Sequence, residues 1–280
     1  MKKYAIITMD VEDWYHTYFP DNNVDRSYSL LDGLDIALEY MDKKNIKGSF
    51  FVVGEIADQI KDTLREMDDQ GHDIACHNWV HIRSEDMTEE EFKNQLLKAK
   101  NKLEEILEHE VTGYRAPSFS LNDKLFDVMR SLGFKYDSSK LKSQRSEKYG
   151  FLNLSGFTEV YPCIYRDKDF LEFEVSTQKI GSMNMLLGGG YIRMLPWFFM
   201  KQMHKKYLKT GKPYVLYFHP IDLSKKQMPK VNGISIDRYL RTHIGRRTMI
   251  KKFKRVINML EKNGYEFMTF EQLRRMNLSN

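Results

Sequence analysis

The first half of this sequence alternates short apolar runs with amphipathic stretches, an order that few folds accept. YAIITM, residues 4–9, reads as a strand. In SLLDGLDIALEYMDKKNI, the residues Leu30, Leu31, Leu34, Ala37, Leu38 and Met41 form one apolar stripe at helical spacing. KGSFFVVG then reads as a buried strand, EIADQIKDTLREMDDQG as a helix ended by Gly71, and HDIACH as a short strand. TEEEFKNQLLKAKNKLEEILEHE is a long helix whose acidic first turn suits the helix dipole. VTGYRAPSFS, NDKLFDVMRSLG and FKYDSS continue as strand, helix and strand. Strands separated by helices pair in parallel through helical crossovers, so the expected class is α/β with a parallel sheet. Residues 141–195 break the rhythm with short apolar runs and glycines, and read as an insertion of strands and loops. The rhythm resumes with helix WFFMKQMHKKYLKTG, strand PYVLYFHP, a loop, helix RTMIKKFKRVINMLEKNG, strand YEFMTF and a short final helix.

Parallel α/β folds place their chemistry at the carboxyl ends of the strands. The polar residues that follow the expected strands are Asp10, Glu12 and Asp13, then His77 and His81, Arg115, Asp137 and His219. Two histidines and a carboxylate make a set that can hold zinc with positions open for water. His77 and His81 have the spacing of a helical metalloprotease pair, but no glutamate follows His77, so that reading fails. GGGYIR lacks the Lys-Ser/Thr of a phosphate-binding loop and reads as flexible backbone near the cleft mouth, with Arg193 a candidate for an anionic substrate group. Trp14, Trp79 and His16 are candidates for a sugar groove, with core packing or loop exposure as the plainer alternatives. His72 reads as structural.

Charge and cysteine content narrow the partners. The 280 residues, 41% of them hydrophobic, suffice for one large domain or two small ones. The net charge is +5, with much of the excess in the C-terminal third. That excess reads as a solvated helix face or as a patch for an anionic membrane surface or polymer. No basic–aromatic motif suggests nucleic acid. Cys76 and Cys163 make no disulfide framework and fit a reducing compartment. The apolar start is cut by Asp10, Glu12 and Asp13, too early for a signal peptide. No segment reaches the length of a membrane span, and the expected location is cytoplasmic, with peripheral membrane contact through the basic third as the alternative.

Taken in order, the strand-end blocks resemble the polysaccharide deacetylases, the NodB-homology family of metal-dependent carbohydrate N-deacetylases. TMDVED stands where that family has Thr-Phe-Asp-Asp. GHDIACHNWVH is similar to its Gly-His-Glu-Ile…His-x-x-x-His block, YRAPSFS to its Arg-x-Pro block, and YDSS and YFHP to its last two. DFLEFEVST…GGGYIRMLPW…YFHPIDL also resembles a subfamily found with bacterial exopolysaccharide synthesis. The resemblance implies a deformed β/α barrel of about seven parallel strands forming one catalytic domain over 1–280. Its core would cover about 4–222 with the insertion at about 141–195, and residues 223–280 would be a C-terminal extension.

The implied reaction is removal of an N-acetyl group from a sugar of a bacterial cell-surface polysaccharide or its precursor, which could be lipid-linked. A cytoplasmic location favours the precursor. The cofactor would be one divalent metal ion, zinc first, with cobalt, nickel or iron fitting the same ligands. By resemblance, Asp10 is the general base and His219 the acid, Arg115 pairs with Asp10, and Asp137 orients His219. His77 and His81 hold the metal with Glu12 or Asp13. The family's adjacent acids favour Asp13, whereas strand alternation favours Glu12. Glu12 is preferred and Asp13 kept as the alternative. Asn78 replaces the Ser or Thr usual after the first metal histidine. Two other functions stay open: an amidohydrolase acting on a small non-sugar amide, and a degenerate homologue that binds glycan without cleaving it.

Overall fold

The computed structural model describes residues 2–19, 24–142, 150 and 152–276. Residues 277–280 lie outside the described residues, as do 143–149 and 151 within the expected insertion. The strands are β1 (Lys3–Val11), β2 (Ser49–Val52), β3 (Asp73–Cys76), β4 (Gly113–Tyr114), β5 (Tyr136–Asp137), β6 (Thr158–Tyr161), β7 (Ile164–Asp167), β8 (Phe170–Phe173), β9 (Thr177–Ile180), β10 (Met183–Leu186), β11 (Tyr214–Phe218) and β12 (Tyr265–Phe267). The main sheet runs β11-β1-β2-β3-β4-β5-β8-β7-β6, with β12 on the start of β1. Pairings from β11 through β8 are all parallel. The seven strands of that run form a curled half-barrel. The chain is thus α/β with the parallel sheet that its alternating pattern requires.

β1 is central, and every residue from Tyr4 to Val11 is buried. Being covered on both faces explains why it reads as a continuous apolar run rather than an alternation. The helix Glu89–Leu107 begins with a capping box, Thr88 and Glu91 satisfying each other's backbone donors. Its apolar stripe, with Phe92, Leu96, Ala99 and Leu103 buried, packs in the core behind β3 and β4. The helix Asp32–Lys43 approaches the backbone after β11 so closely that a Cβ on Gly33 would lie 1.9 Å from the Pro220 carbonyl oxygen. Only glycine allows that contact.

Three segments differ from the sequence reading. Residues 158–173 are no separate insertion: β8 pairs with β5, and β7 and β6 extend the same sheet antiparallel. GGGYIR is not flexible backbone. Gly189–Met194 is helical, and a Cβ on Gly188 would lie 2.4 Å from the Tyr217 ring. The loop expected after β11 contains the helices Pro220–Leu223 and Ile236–His243. Among the described residues, no helix is long and apolar enough to cross a membrane.

Candidate active site

β1 delivers three acids to one end of the sheet, and their roles separate by direction. Asp10 and Glu12 face the cleft, while Asp13 is turned into the chain. Asp13 caps the helix Trp14–Tyr18, its Oδ1 accepting from the N–H of Trp14 at 2.8 Å and of Leu30 at 2.9 Å. Asp13 therefore stands outside the histidine cluster. Asp13→Ala is expected to cost about 1–2 kcal/mol of stability through the lost cap. It should leave metal binding unchanged; thermal melts and elemental analysis read these two effects separately.

Glu12, His77 and His81 each bring one ligand-capable atom to within 4.8 Å of the others. His81 Nε2 lies 2.8 Å from Glu12 Oε2. His77 Nδ1 lies 2.7 Å from the Arg115 carbonyl. A carbonyl only accepts, so Nδ1 carries the proton and Nε2 keeps its lone pair. Burial lowers the His77 pKa to about 4, against the pull of Asp10, and keeps the imidazole neutral. Burial opposes ionisation of Glu12, yet the surrounding His81, His219 and His77 hold its carboxyl well below the usual carboxylate range. Glu12 Oε2 is buried and receives no hydrogen bond of acceptable geometry. A buried carboxylate is costly without a positive partner, and a cation shared with His77 and His81 would supply one. The three residues therefore fit a divalent metal with positions left open.

The loop that returns His81 to His77 is tied by Asn78. With φ at +60°, Asn78 donates from Nδ2 to the Ile82 carbonyl at 3.1 Å and accepts from the Tyr114 hydroxyl at 2.7 Å. Arg115 is fully buried. It donates from Nη1 to Asp10 Oδ1 at 2.7 Å and to Thr8 Oγ1 at 2.9 Å, and from Nε to the Ser138 carbonyl at 2.9 Å. The Phe51 ring covers its guanidinium at 4.1 Å.

His219 follows β11. Its Nε2 lies 3.6 Å from Glu12 Oε1 and 3.9 Å from Asp10 Oδ2. The orienting carboxylate is not Asp137 but Asp222, whose Oδ2 stands 3.2 Å from His219 Nδ1 and accepts the His219 backbone N–H at 3.0 Å. Asp222 Oδ1 in turn takes Arg193 Nε at 2.6 Å, both side chains being buried. Arg193 thus meets Asp222 rather than the cleft. The signal for Asp222 was present in the sequence: in HPID, proline opens a helical turn and an acid sits at its third position, where it caps.

Asp137 is held elsewhere. It accepts from the Ser139 N–H and hydroxyl, and it faces Glu172 of β8, whose Oε1 takes the Ser139 and Lys140 N–H groups. Burial raises the carboxyl pKa of both, and for Glu172 the neighbouring Asp137 charge adds to the rise. Two buried carboxyls facing each other favour one shared proton over two charges. A raised folded pKa contributes stability that is complete below the unfolded value and is lost as pH climbs through the folded one. Glu172→Gln should keep the contact without a proton to lose. Its advantage over the parent is expected to reach on the order of 1–3 kcal/mol in alkaline solution and to vanish in acid, as read by urea unfolding across that range.

These groups open on a cleft of about 680 Å³. Asp10, Glu12, His81 and His219 line it together with Tyr18, Phe119, Tyr191 and Tyr217. Ser118 and Phe119, on the same wall, both have φ of +55°, a strained conformation of the kind stored at functional sites. Asp237, Arg238 and Arg241 of the helix Ile236–His243 close one side. That helix was readable from its Ser235 N-cap and apolar spacing but is absent from the sequence reading. Trp14 is core, donating to the Tyr28 carbonyl. Trp79 packs at the core edge under Lys98. His16 is neither in the groove nor exposed: buried, it binds the Asp13 N–H and Glu55. His72 accepts from the Gly48 N–H within the core.

A family model described as polysaccharide deacetylase matches residues 24–136, and one described as a domain of unknown function, DUF3473, matches 138–275. A Bacillus cereus peptidoglycan-N-acetylglucosamine deacetylase is 30% identical over 105 residues, 36% of each chain. A Helicobacter pylori peptidoglycan deacetylase is 23% identical over 117 residues, 42% of this chain and 40% of that one. The matches thus span well under half the length of these relatives. Among solved structures, a Mycobacterium smegmatis protein assigned as a polysaccharide deacetylase superposes with a TM-score of 0.66 at 19% identity, covering 98% of this chain and 89% of that one. A Bacillus anthracis protein titled a CE4 family pseudoenzyme gives 0.56 at 13% identity, covering 98% and 66%. His77, His81 and Arg115 fall in the first matched segment, His219, Asp222 and Arg193 in the second, and both segments build one sheet and one cleft. The chain thus carries a segment that matches the polysaccharide deacetylase model, residues 24–136, completed by a DUF3473 segment, residues 138–275.

Proposed function

We propose that this cleft hydrolyses the N-acetyl group of an N-acetylated sugar in a cell-surface polysaccharide or its precursor. The observation that carries the reading is the convergence of Asp10, Glu12, His81 and His219 on one aromatic-walled cleft, with His77 buried beside Glu12 and His81. Glu12, His77 and His81 would hold one divalent metal ion, zinc first. When bound, it would polarise the acetamide carbonyl and lower the pKa of the attacking water. Asp10, fixed by Arg115, takes the proton of that water. His219 gives a proton to the amine nitrogen as the C–N bond breaks. Burial alone would depress the His219 pKa, but the Asp222 bond and the charges of Glu12, Asp222 and Asp10 outweigh it and raise the value to about 9. The imidazole is therefore a loaded proton donor at neutral pH.

The relatives point the same way, being named for peptidoglycan and chitin, polymers of acetylated amino sugars. A small-amide hydrolase would favour a closed site over this open cleft. The pseudoenzyme among the structural neighbours supports the third reading, since this fold does not by itself guarantee turnover. The test is acetate release from N-acetylglucosamine oligomers by the zinc-loaded chain. Acetate that disappears on metal removal and returns with zinc is expected. Sugar binding without acetate from any acetylated glycan would favour the binding module, and acetate from simple acetamides alone would favour the small-amide enzyme.

A further inference from the structure

Residues 224–251 wrap the short helix that carries Asp222, with Arg246 donating to the carbonyls of Ile221, Ser224 and Lys226. This segment holds eight lysines and arginines against one acid, Asp237, while the whole chain is only +5. The rest of the protein is therefore net negative. Within the segment, the helix Ile236–His243 turns Arg238 and Arg241 to the cleft and its apolar residues to solvent. Ile236 is 80% exposed, Tyr239 49%, Leu240 40%, and Ile244 just past its end 39%. Their spacing puts Ile236, Tyr239 and Leu240 on one helical face, and the chain leaves the helix at Ile244 in an extended conformation. A helix on a globular protein ordinarily buries such a stripe. Arg193 fastens the helix by its end, donating to the carbonyls of Arg241 and Ile244.

We propose that this face docks on an anionic lipid bilayer, the apolar stripe entering the interface while the surrounding cations meet lipid phosphates. Charge selects the occupant. A second copy docking by the same face would set cation against cation. An anionic glycan would satisfy the arginines but leave an aliphatic stripe in water. An anionic bilayer takes both. Resting on the deacetylase reading, the consequence is that the cleft mouth lies beside the membrane and receives saccharide anchored there.

The test is cosedimentation of the full chain with vesicles of phosphatidylcholine, alone or mixed with phosphatidylglycerol. Binding is expected to the mixed vesicles, to weaken with salt, and to fall about tenfold or more in Ile236→Ser/Leu240→Ser and in Arg247→Glu/Lys251→Glu. All four side chains are exposed and outside the cleft, so acetate release from short soluble oligosaccharides should be unchanged. No binding to mixed vesicles at low salt, binding indifferent to both double variants, or retention on dextran sulfate without vesicle binding would each overturn the inference. Acetate release without vesicle binding leaves the catalytic reading standing. Vesicle binding without acetate release supports the surface and sinks the enzyme.

Discussion

Asp222→Asn is expected to lower turnover by about 10²–10⁴-fold at neutral pH and to move the alkaline limb of the rate profile to lower pH. Asp222 touches His219 twice, at the ring Nδ1 and at the backbone N–H. An asparagine can retain the backbone bond but cannot balance an imidazolium. Burial would then dominate, and His219 would lose its proton at a lower pH than its present value of about 9. Arg193 would also be left as a buried cation without its anion, a loss of about 3–5 kcal/mol. Unfolding must therefore be separated from lost chemistry, which the pH profile does: a merely structural defect scales the rate without moving the limb. Asp137→Asn is the control, since Asp137 faces Glu172 and Ser139. If Asp137→Asn moves the limb and Asp222→Asn does not, the orienting role returns to Asp137.

His81→Ala is expected to abolish stoichiometric metal binding and to reduce acetate release by three or more orders of magnitude, on the order of what Lewis-acid activation supplies. Among the described residues, His81 is one of three protein donors in the cluster. Loss of a direct ligand should exceed the 10–100-fold drop in affinity that follows loss of a supporting partner. Elemental analysis after gel filtration measures the first effect without any substrate. Glu12→Ala should behave like His81→Ala, because its buried Oε2 would no longer require a cation and the two histidines would hold one weakly. Metal retained in both variants but lost in Asp13→Ala would reverse the choice between the two acids.

The α/β class was legible because period-2 and period-3.6 patterns are local properties of the chain, and their alternation admits a parallel sheet. Asp10, Glu12, His77, His81, Arg115 and His219 could be marked for the same reason: each follows an apolar strand run, and parallel strands end together. Strand alternation also separated Glu12 from Asp13, since it acts between neighbours in sequence. What sequence order could not settle is which distant groups meet. The partner of His219 lay three residues away in a capping turn, while Asp137, at a more suggestive strand end, was claimed by Glu172 from 35 residues on. Arg193 looked free because nothing local pairs with it; only the packing of three helices brings Asp222, Ile244 and Arg241 around its guanidinium. The middle strands looked like an insertion because antiparallel hairpins break the rhythm, yet β8 joins β5 through hydrogen bonds that no local pattern encodes. The sequence determined the elements and the reactive side chains, because both follow from short-range periodicity. Tertiary structure decided the pairings, because a buried charge takes whichever opposite charge or proton the packed chain brings within reach.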